Sequence, residues 1–329
     1  MTSLGRVPVV FLSYSTSRVW IISSTNELLT PTAIALGNFD GVHLGHQQVL
    51  KQLVKAQEGQ GWYPTVVSFN PHPREFFSGQ HQPLLTPPNE KIEALENLGI
   101  RQLVLLPFTA TLAQLSPQDF VQTVLVQQLQ AQMISVGVDF RFGYQRQGTI
   151  QELMAIAAPL NIQVLTTDLK TDQQQRISSS LIRQALTAGK MQQVRAWLGR
   201  PYALMGKVIP GQKLGHQLGF PTANLELPED KLLPRLGVYA VQVTMDDAET
   251  QWPGVMNIGK RPTVAGQTIV AEVHLFDYHQ TLYGQTLRVH LWEFIRPEQK
   301  FANLPQLTQQ ITQDCQQAQQ LLQNLSPQY

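Results

Sequence analysis

The hydrophobic pattern changes texture about three-fifths of the way along the chain. In the first part, short apolar runs alternate with stretches whose apolar residues recur every three or four positions. The runs Ala33 to Leu36, Pro64 to Phe69, Arg101 to Leu106, Ile134 to Val138 and Ile162 to Thr166 read as buried strands. Trp20 to Ile22 reads as an edge strand. Val49, Leu50, Leu53 and Val54 predict a helix over about 47–58. Asn89 caps a second helix through Leu98, which Gly99 stops. Ser116 with Pro117 opens a third, and a fourth lies near 149–158. Strands alternating with helices predict an α/β domain, a parallel sheet covered on both faces. Beyond Pro201 the period is two: Ala203 to Ile209, Val238 to Met245, Val255 to Ile258, Val270 to Phe276 and Thr286 to Ile295. With turns at Asp246-Asp247, Pro262 and Tyr283-Gly284, this predicts a small antiparallel β-barrel or sandwich. A terminal helix follows from about Gln306. Two short helical patterns between Leu186 and Leu198 mark the junction, which places the domains at 1–187 and 188–329.

Composition narrows the class. With 43% hydrophobic and 14% charged residues the chain fills two cores, and a formal net charge of +1 offers no broad attraction to nucleic acid or membrane. No apolar run approaches the roughly 18 residues of a membrane span. Val7 to Leu12 is too short for a signal segment. Residues 1–17 show no pattern. The lone Cys315 suits a reducing compartment, so a cytoplasmic location is expected. Weak self-association is left open. The glutamines of the last 25 or so residues alternate with Ile311, Leu321 and Leu322, as on an amphipathic helix.

Candidate chemistry gathers at the predicted strand ends, where ligands of parallel sheets bind. Gly37-Asn38-Phe39-Asp40-Gly41-Val42-His43-Leu44-Gly45-His46 joins a strand to a helix. Such a loop presents free backbone N–H groups to an anion, and His43 and His46 share one helical face. A plain turn is the alternative, at about even odds on spacing alone, and the Gly-Lys-Ser/Thr of a P-loop is missing. Asn70-Pro71-His72-Pro73 opens a long Pro- and Gly-rich stretch to Pro88, containing Phe76 and Phe77. It reads either as a rigid turn or as a loop whose aromatics cover a flat ring. Asp139-Phe140-Arg141-Phe142-Gly143 ends another strand. Arg176-Ile177-Ser178-Ser179-Ser180-Leu181-Ile182-Arg183 reads as a helix cap flanked by arginines, which also suits phosphate.

Three clusters stand out in the second part. Gly211 to Asn224 contains Lys213, Gly215, Thr222 and Asn224; it is either a hairpin loop or a ligand loop with hard neutral oxygens. Asn257 to Thr263 reads as a polar turn between strands. Glu272 is a carboxylate on an otherwise apolar strand; a solvent-facing role is the default, and proton transfer is the alternative.

Together these strings resemble a known family. His43-Leu44-Gly45-His46 resembles the His-x-Gly-His signature of the nucleotidylyltransferase superfamily. Residues 177–183 resemble the Ile-Ser-Ser-Thr-x-Ile-Arg element of bacterial adenylyltransferases, with Ser180 where threonine is common. Gly219-Phe-Pro-Thr-Ala-Asn224, Asn257-Ile-Gly-x-Arg-Pro-Thr263, Glu272-x-His-Leu-Phe-Asp277, Leu282-Tyr-Gly284 and Ile295-Arg-x-Glu-x-Lys-Phe301 are similar to bacterial riboflavin kinase. The whole, from about Thr32 to Phe301, resembles bifunctional riboflavin kinase/FMN adenylyltransferase, the bacterial FAD synthetase. His216 stands where that family commonly has arginine. The resemblance implies a transferase that phosphorylates riboflavin to FMN with ATP and then adenylylates FMN to FAD, releasing pyrophosphate. It implies Mg²⁺ at Thr222 and Asn224 and a base at Glu272. It also implies that His43, His46, Arg176 and Arg183 stabilise phosphate charge. By the same likeness, Gly37, Asn38, Phe39, Gly41, Gly45, Ser179, Ser180, Gly211, Lys213 and Gly215 bind ATP, and Asn70, His72, Asp139 and Phe142 bind flavin. Two rivals are an adenylyltransferase for another phosphorylated acceptor with a passive barrel, and a non-catalytic flavin-binding protein.

Overall fold

The computed structural model describes residues 19–211, 214–245, 250–263 and 266–323. Residues 1–17, Lys213 and the Asp246-Asp247 turn lie outside them. The described chain forms two compact units. The first runs to Gln82 and from Pro88 to Arg176; the second comprises Pro83–Pro87 and the chain from Ile177 onward.

The first unit is a six-stranded parallel sheet. Its strands are β1 (Trp20–Ile22), β2 (Thr32–Leu36), β3 (Tyr63–Asn70), β4 (Gln102–Pro107), β5 (Ala131–Gly137) and β6 (Gln163–Thr167), in the order β1-β4-β3-β2-β5-β6. All five residues of β2 are buried, as befits a central parallel strand covered on both faces. Alternation sends Ile34 and Leu36 into one core and Ala33 and Ala35 into the other. The second core is closed by helices α1 (Leu44–Ala56) and α3 (Pro88–Glu96), through Leu50, Leu53, Ile92 and Leu95. The first is closed by the stretch Phe120–Gln128 and by α4 (Ile150–Ala157), through Val121, Leu125 and Leu153. Ser116 caps the helical turn Pro117–Asp119 as expected, but Phe120–Gln128 winds as a π-helix, which nothing in the structure explains.

The stretch after Asn70, read as a rigid turn or a covering loop, opens with a short helix, α2 (Pro73–Ser78). His72 is its N-cap, accepting from Arg74 N, while Glu75 accepts from the His72 N–H in a capping box, and Gly79 ends the helix in the left-handed region.

In the second unit six antiparallel strands close a barrel in the order β8-β11-β10-β9-β12-β7. They are β7 (Tyr202–Ile209), β8 (Ala223–Glu226), β9 (Gly237–Met245), β10 (Trp252–Thr263), β11 (Gly266–Leu275) and β12 (Thr286–Arg296). Helices α5 (Ser179–Ala188) and α6 (Met191–Leu198) are the two patterns before Pro201, and Gly189 caps α5 in the left-handed conformation. The terminal helix α7 (Leu304–Gln323) packs Cys315, Ala318 and Leu322 onto the barrel.

Asn257 to Thr263, expected as a turn, is the second half of β10. Pro262 is tolerated there because β9 pairs with β10 only as far as Ile258, leaving Pro262 with a ladder partner on one side, Gln267. Residues 83–87 belong to this unit through bonds to the loop before β9: Leu84 N donates to Asp230 O at 2.6 Å and Leu232 N to Leu84 O at 2.8 Å. Lys231, only 3% exposed, donates to Leu85 O at 2.9 Å and lies over the Tyr202 ring.

Candidate active sites

In the first unit the strand order reverses beside β2. The chain steps outward through β3 and β4, then returns to place β5 on the other side of β2. The loops after β2 and β5 therefore diverge and open a crevice at the carboxyl ends of the strands, the usual ligand position in such a sheet. The loop after β2 is Gly37 to Val42. Gly41 takes φ 85°, and Phe39 and Val42 also sit at positive φ, so three residues of left-handed backbone bend the loop sharply between strand and helix. This directs His43 to the N-cap of α1, where its Nδ1 accepts from His46 N at 3.3 Å. The two imidazoles stack, with ring centroids 3.6 Å apart, and the buried Phe39 ring leans on His46. A side chain at Gly45 would crowd the His43 ring, and one at Gly37 the Phe39 ring.

The electrostatics favour an uncharged His46. Burial holds its pKa well below the ordinary imidazole value, and His43, Lys91 and Arg176 lower it further. His46 Nδ1 is enclosed with no hydrogen-bond partner among the described residues. Lys91 is buried on α3 and donates to Asn38 O at 3.0 Å; burial lowers its pKa and nearby Asp40 opposes that shift. Asp40 and Lys91 also act on His72, whose pKa is lowered chiefly by burial, so the α2 N-cap faces the same charges as the glycine loop. Asn70 is the last residue of β3, and next to it Phe69 meets Phe108, which Phe76 and Phe77 also meet edge to face, with Phe77 71% exposed. Asp139 follows β5 and pairs with Arg176. Phe142 lies inside the core, 5% exposed, packed by Phe120 and Phe140.

Ser178 caps α5 by accepting from Leu181 N, so Ser179 and Ser180 occupy the first helical turn of the second unit. Arg183, one turn on, donates to Pro83 O at 2.5 Å.

The barrel carries its own site. Asn224 on β8 and Asn257 on β10 are both register partners of Glu272 on β11, so the three side chains form a row on one face. They line a cavity of ≈ 310 Å³, together with Gly215, Thr222 and the apolar Phe220, Val238, Val255, Leu307 and Ile311. A Cβ at Gly211 would overlap the Asn224 amide, and one at Gly215 would collide with the Phe220 carbonyl. These glycines are thus required for close approach, while Gly41 is required for conformation. Thr222 and Asn224 bring hard neutral oxygens to the wall that carries the Glu272 carboxylate, a donor set that fits Mg²⁺ shared with nucleotide phosphates. His274 Nδ1 lies 2.7 Å from Pro221 O, which fixes the turn leading to Thr222.

Sequence reasoning missed Lys91, Asn257 and the pair Arg296–Asp314. Lys91 had a signal: it falls four residues before Leu95, on the apolar stripe of α3. Asn257 was obscured by reading its strand as a turn.

Residues 25–181 match the family model of FAD synthetases, and residues 198–322 that of riboflavin kinases. The bifunctional riboflavin kinase/FMN adenylyltransferase of Haemophilus influenzae is 39% identical over 298 residues, spanning 90% of this chain and 96% of its own. That of Escherichia coli K12 is 38% identical over 282 residues, 85% and 90% of the two chains. The Bacillus subtilis protein is 36% identical over 303 residues, 89% and 93%. Among solved structures, one titled a macrolide-efflux protein from Streptococcus pneumoniae superposes with a TM-score of 0.83 at 29% identity, over 94% of this chain and 100% of that one. No described helix of the present chain is long and apolar enough to cross a membrane.

Proposed function

The chain belongs to the bifunctional riboflavin kinase/FMN adenylyltransferase family, and from that premise we propose how its residues divide the work. It is a transferase twice over. Riboflavin is phosphorylated by ATP to FMN, and FMN is adenylylated by a second ATP to FAD. The functional division falls at about 187/188.

The kinase step belongs to the barrel cavity, and the observation that carries this reading is the row Asn224–Glu272–Asn257 across three strands. Glu272 accepts the proton of the terminal ribityl hydroxyl as that oxygen attacks the γ-phosphate and ADP departs. Asn224 and Asn257, on either side of Glu272, orient the hydroxyl and the carboxylate. Thr222 and Asn224 would hold Mg²⁺, which when bound neutralises charge on the transferring phosphates. Gly211 and Gly215 let the nucleotide lie against the backbone, and the family likeness assigns Lys213 to ATP as well.

Adenylylation belongs to the crevice of the sheet. The phosphate of FMN attacks the α-phosphate of ATP and pyrophosphate leaves. That nucleophile is already largely ionised at neutral pH, so the step needs no base. The loop from Gly37 to Gly45 offers backbone N–H groups, His43 and a neutral His46 donate to phosphate oxygens, and Arg176 supplies lasting positive charge. By the family likeness, Ser179, Ser180 and Arg183 bind ATP phosphate. Asn38 and Asp139 line the nucleotide and acceptor, Asn70 and His72 the flavin, and Phe76 and Phe77 face the isoalloxazine ring. With ATP as substrate and a family of nucleotide-using transferases as its relatives, the protein works in the cytoplasm.

The test is to incubate the purified chain with riboflavin, ATP and Mg²⁺ and separate the flavins. The wild type yields FMN and then FAD. His46→Ala stops at FMN, with adenylylation down about 100-fold or more. Glu272→Ala forms no FMN yet makes FAD from supplied FMN. Loss of both activities in a folded His46→Ala protein, or full riboflavin phosphorylation by Glu272→Ala, would overturn the assignment.

A further inference from the structure

The two ends of helix α7 do different things. Its back half packs Cys315, Ala318 and Leu322 into an apolar cluster with Val238, Val255 and Trp292. Its front half turns Leu307 and Ile311, and its midpoint Asp314, spaced four and three residues apart, toward the barrel cavity. Asp314 is 3% exposed and grips Arg296, the last residue of β12. Arg296 Nε donates to Oδ1 at 2.8 Å and to Oδ2 at 3.1 Å, and Nη2 donates to Oδ2 at 2.7 Å. The remaining Nη1 donates to Pro297 O at 3.0 Å, and Gln310 Nε2 reaches Asp314 Oδ1 at 3.0 Å. Both edges of the guanidinium are thereby engaged, and both members of the pair line the cavity that holds Glu272.

A buried ion pair returns little net stability, because desolvating two charges offsets most of their attraction. An apolar contact would hold the helix at least as strongly. What the bidentate fork adds is geometry: it fixes distance and angle together. It also neutralises Arg296 from within, so this part of the cavity wall presents no unbalanced cation to phosphate. We propose that Asp314 is a positioning residue of the kinase reaction, which acts through Arg296 to set how far the Leu307–Ile311 face stands from the Asn224–Glu272–Asn257 row, and so sets the fit for riboflavin. This inference rests on placing riboflavin in the barrel cavity.

The test uses the full chain and measures riboflavin binding by quenching of its fluorescence without ATP, alongside kinase kinetics. Asp314→Asn should weaken riboflavin binding about tenfold and raise its KM to match, while kcat and the KM for ATP stay within about twofold. Adenylylation of supplied FMN should not change. The double variant Arg296→Met with Asp314→Met removes both charges, so its thermal stability should return to the wild-type level or exceed it. Its riboflavin affinity should stay low, because the fork is still missing. Wild-type riboflavin binding in either variant overturns the proposal; recovery of affinity together with stability in the double variant would show that the pair only holds the fold. Glu272→Gln separates the underlying assignment. It should lose phosphoryl transfer and keep riboflavin binding, and undiminished kinase activity would remove the cavity assignment and this inference with it.

Discussion

Asn224 occupies space that exists because residue 211 has no side chain. In Gly211→Ala the new methyl takes the position of the Asn224 amide, and Asn224 must leave the row it shares with Glu272. A misplacement of about 1 Å at a reacting centre can cost two orders of magnitude. Riboflavin phosphorylation should therefore fall by about 100-fold while FAD formation from supplied FMN stays intact, as a flavin separation would show. At this scale the sequence was legible where chemistry is contiguous. Gly37 to His46 could be read because loop, cap and both imidazoles lie within one turn of chain. Lys91 showed only as a charge on an apolar stripe, with nothing to say what it does, because Lys91 and Asp314 each act through a partner more than a dozen residues away, Asn38 and Arg296. Phe142 stands in a motif beside Asp139, yet its ring belongs to the core. Nothing in its local spacing separates an aromatic that packs from one that binds.

Among the elements, β12 carries a concealed acid sensitivity. His290 is pushed down to about 4, mainly by burial, with Arg288 and Arg200 adding to the shift. Since the folded imidazole refuses the proton that the unfolded one accepts below about 6.5, the unfolded chain binds more protons in that window. Stability should thus be complete above pH 6.5, decline as the pH falls toward 4, and level off below, with up to about 3 kcal/mol at stake. His290→Gln removes the titration, so the drop in Tm between pH 7 and pH 4.5 should be smaller than in the wild type. The periodicity found every long strand of the parallel sheet, because β2 to β5 are largely buried on both faces and read as plain apolar runs, and the edge strand β6 is apolar enough at Val164 and Leu165 to read the same way. It missed β8, four residues inside a glycine-rich stretch, and α2, whose cap is a histidine and whose six residues bury nothing. It also ended β10 too early, because Gly259 and Pro262 look like punctuation when the neighbouring strands are unseen.

At the scale of the whole molecule, the change from helical to alternating period puts the junction near Leu186 to Leu198, in the gap between the two family matches, while the compact units divide earlier, between Arg176 and Ile177. The same change could not reveal that five residues far upstream, Pro83–Pro87, fold with the barrel. A piece that short has no period, and its attachment is made by backbone groups and by Lys231, which local pattern does not show.

That outlying piece has a practical consequence for anyone dissecting the enzyme. A cut at 187/188 yields a fragment of residues 188–329 without the Leu85 carbonyl that Lys231 uses, and without α5. An ammonium sealed from water then loses one of its acceptors, at a cost of roughly 1–3 kcal/mol. Calorimetry should show the excised piece melting below the matching transition of the intact polypeptide. The barrel is no detachable cassette: no single scission frees it entire, and its far upstream ribbon has to be supplied along with it.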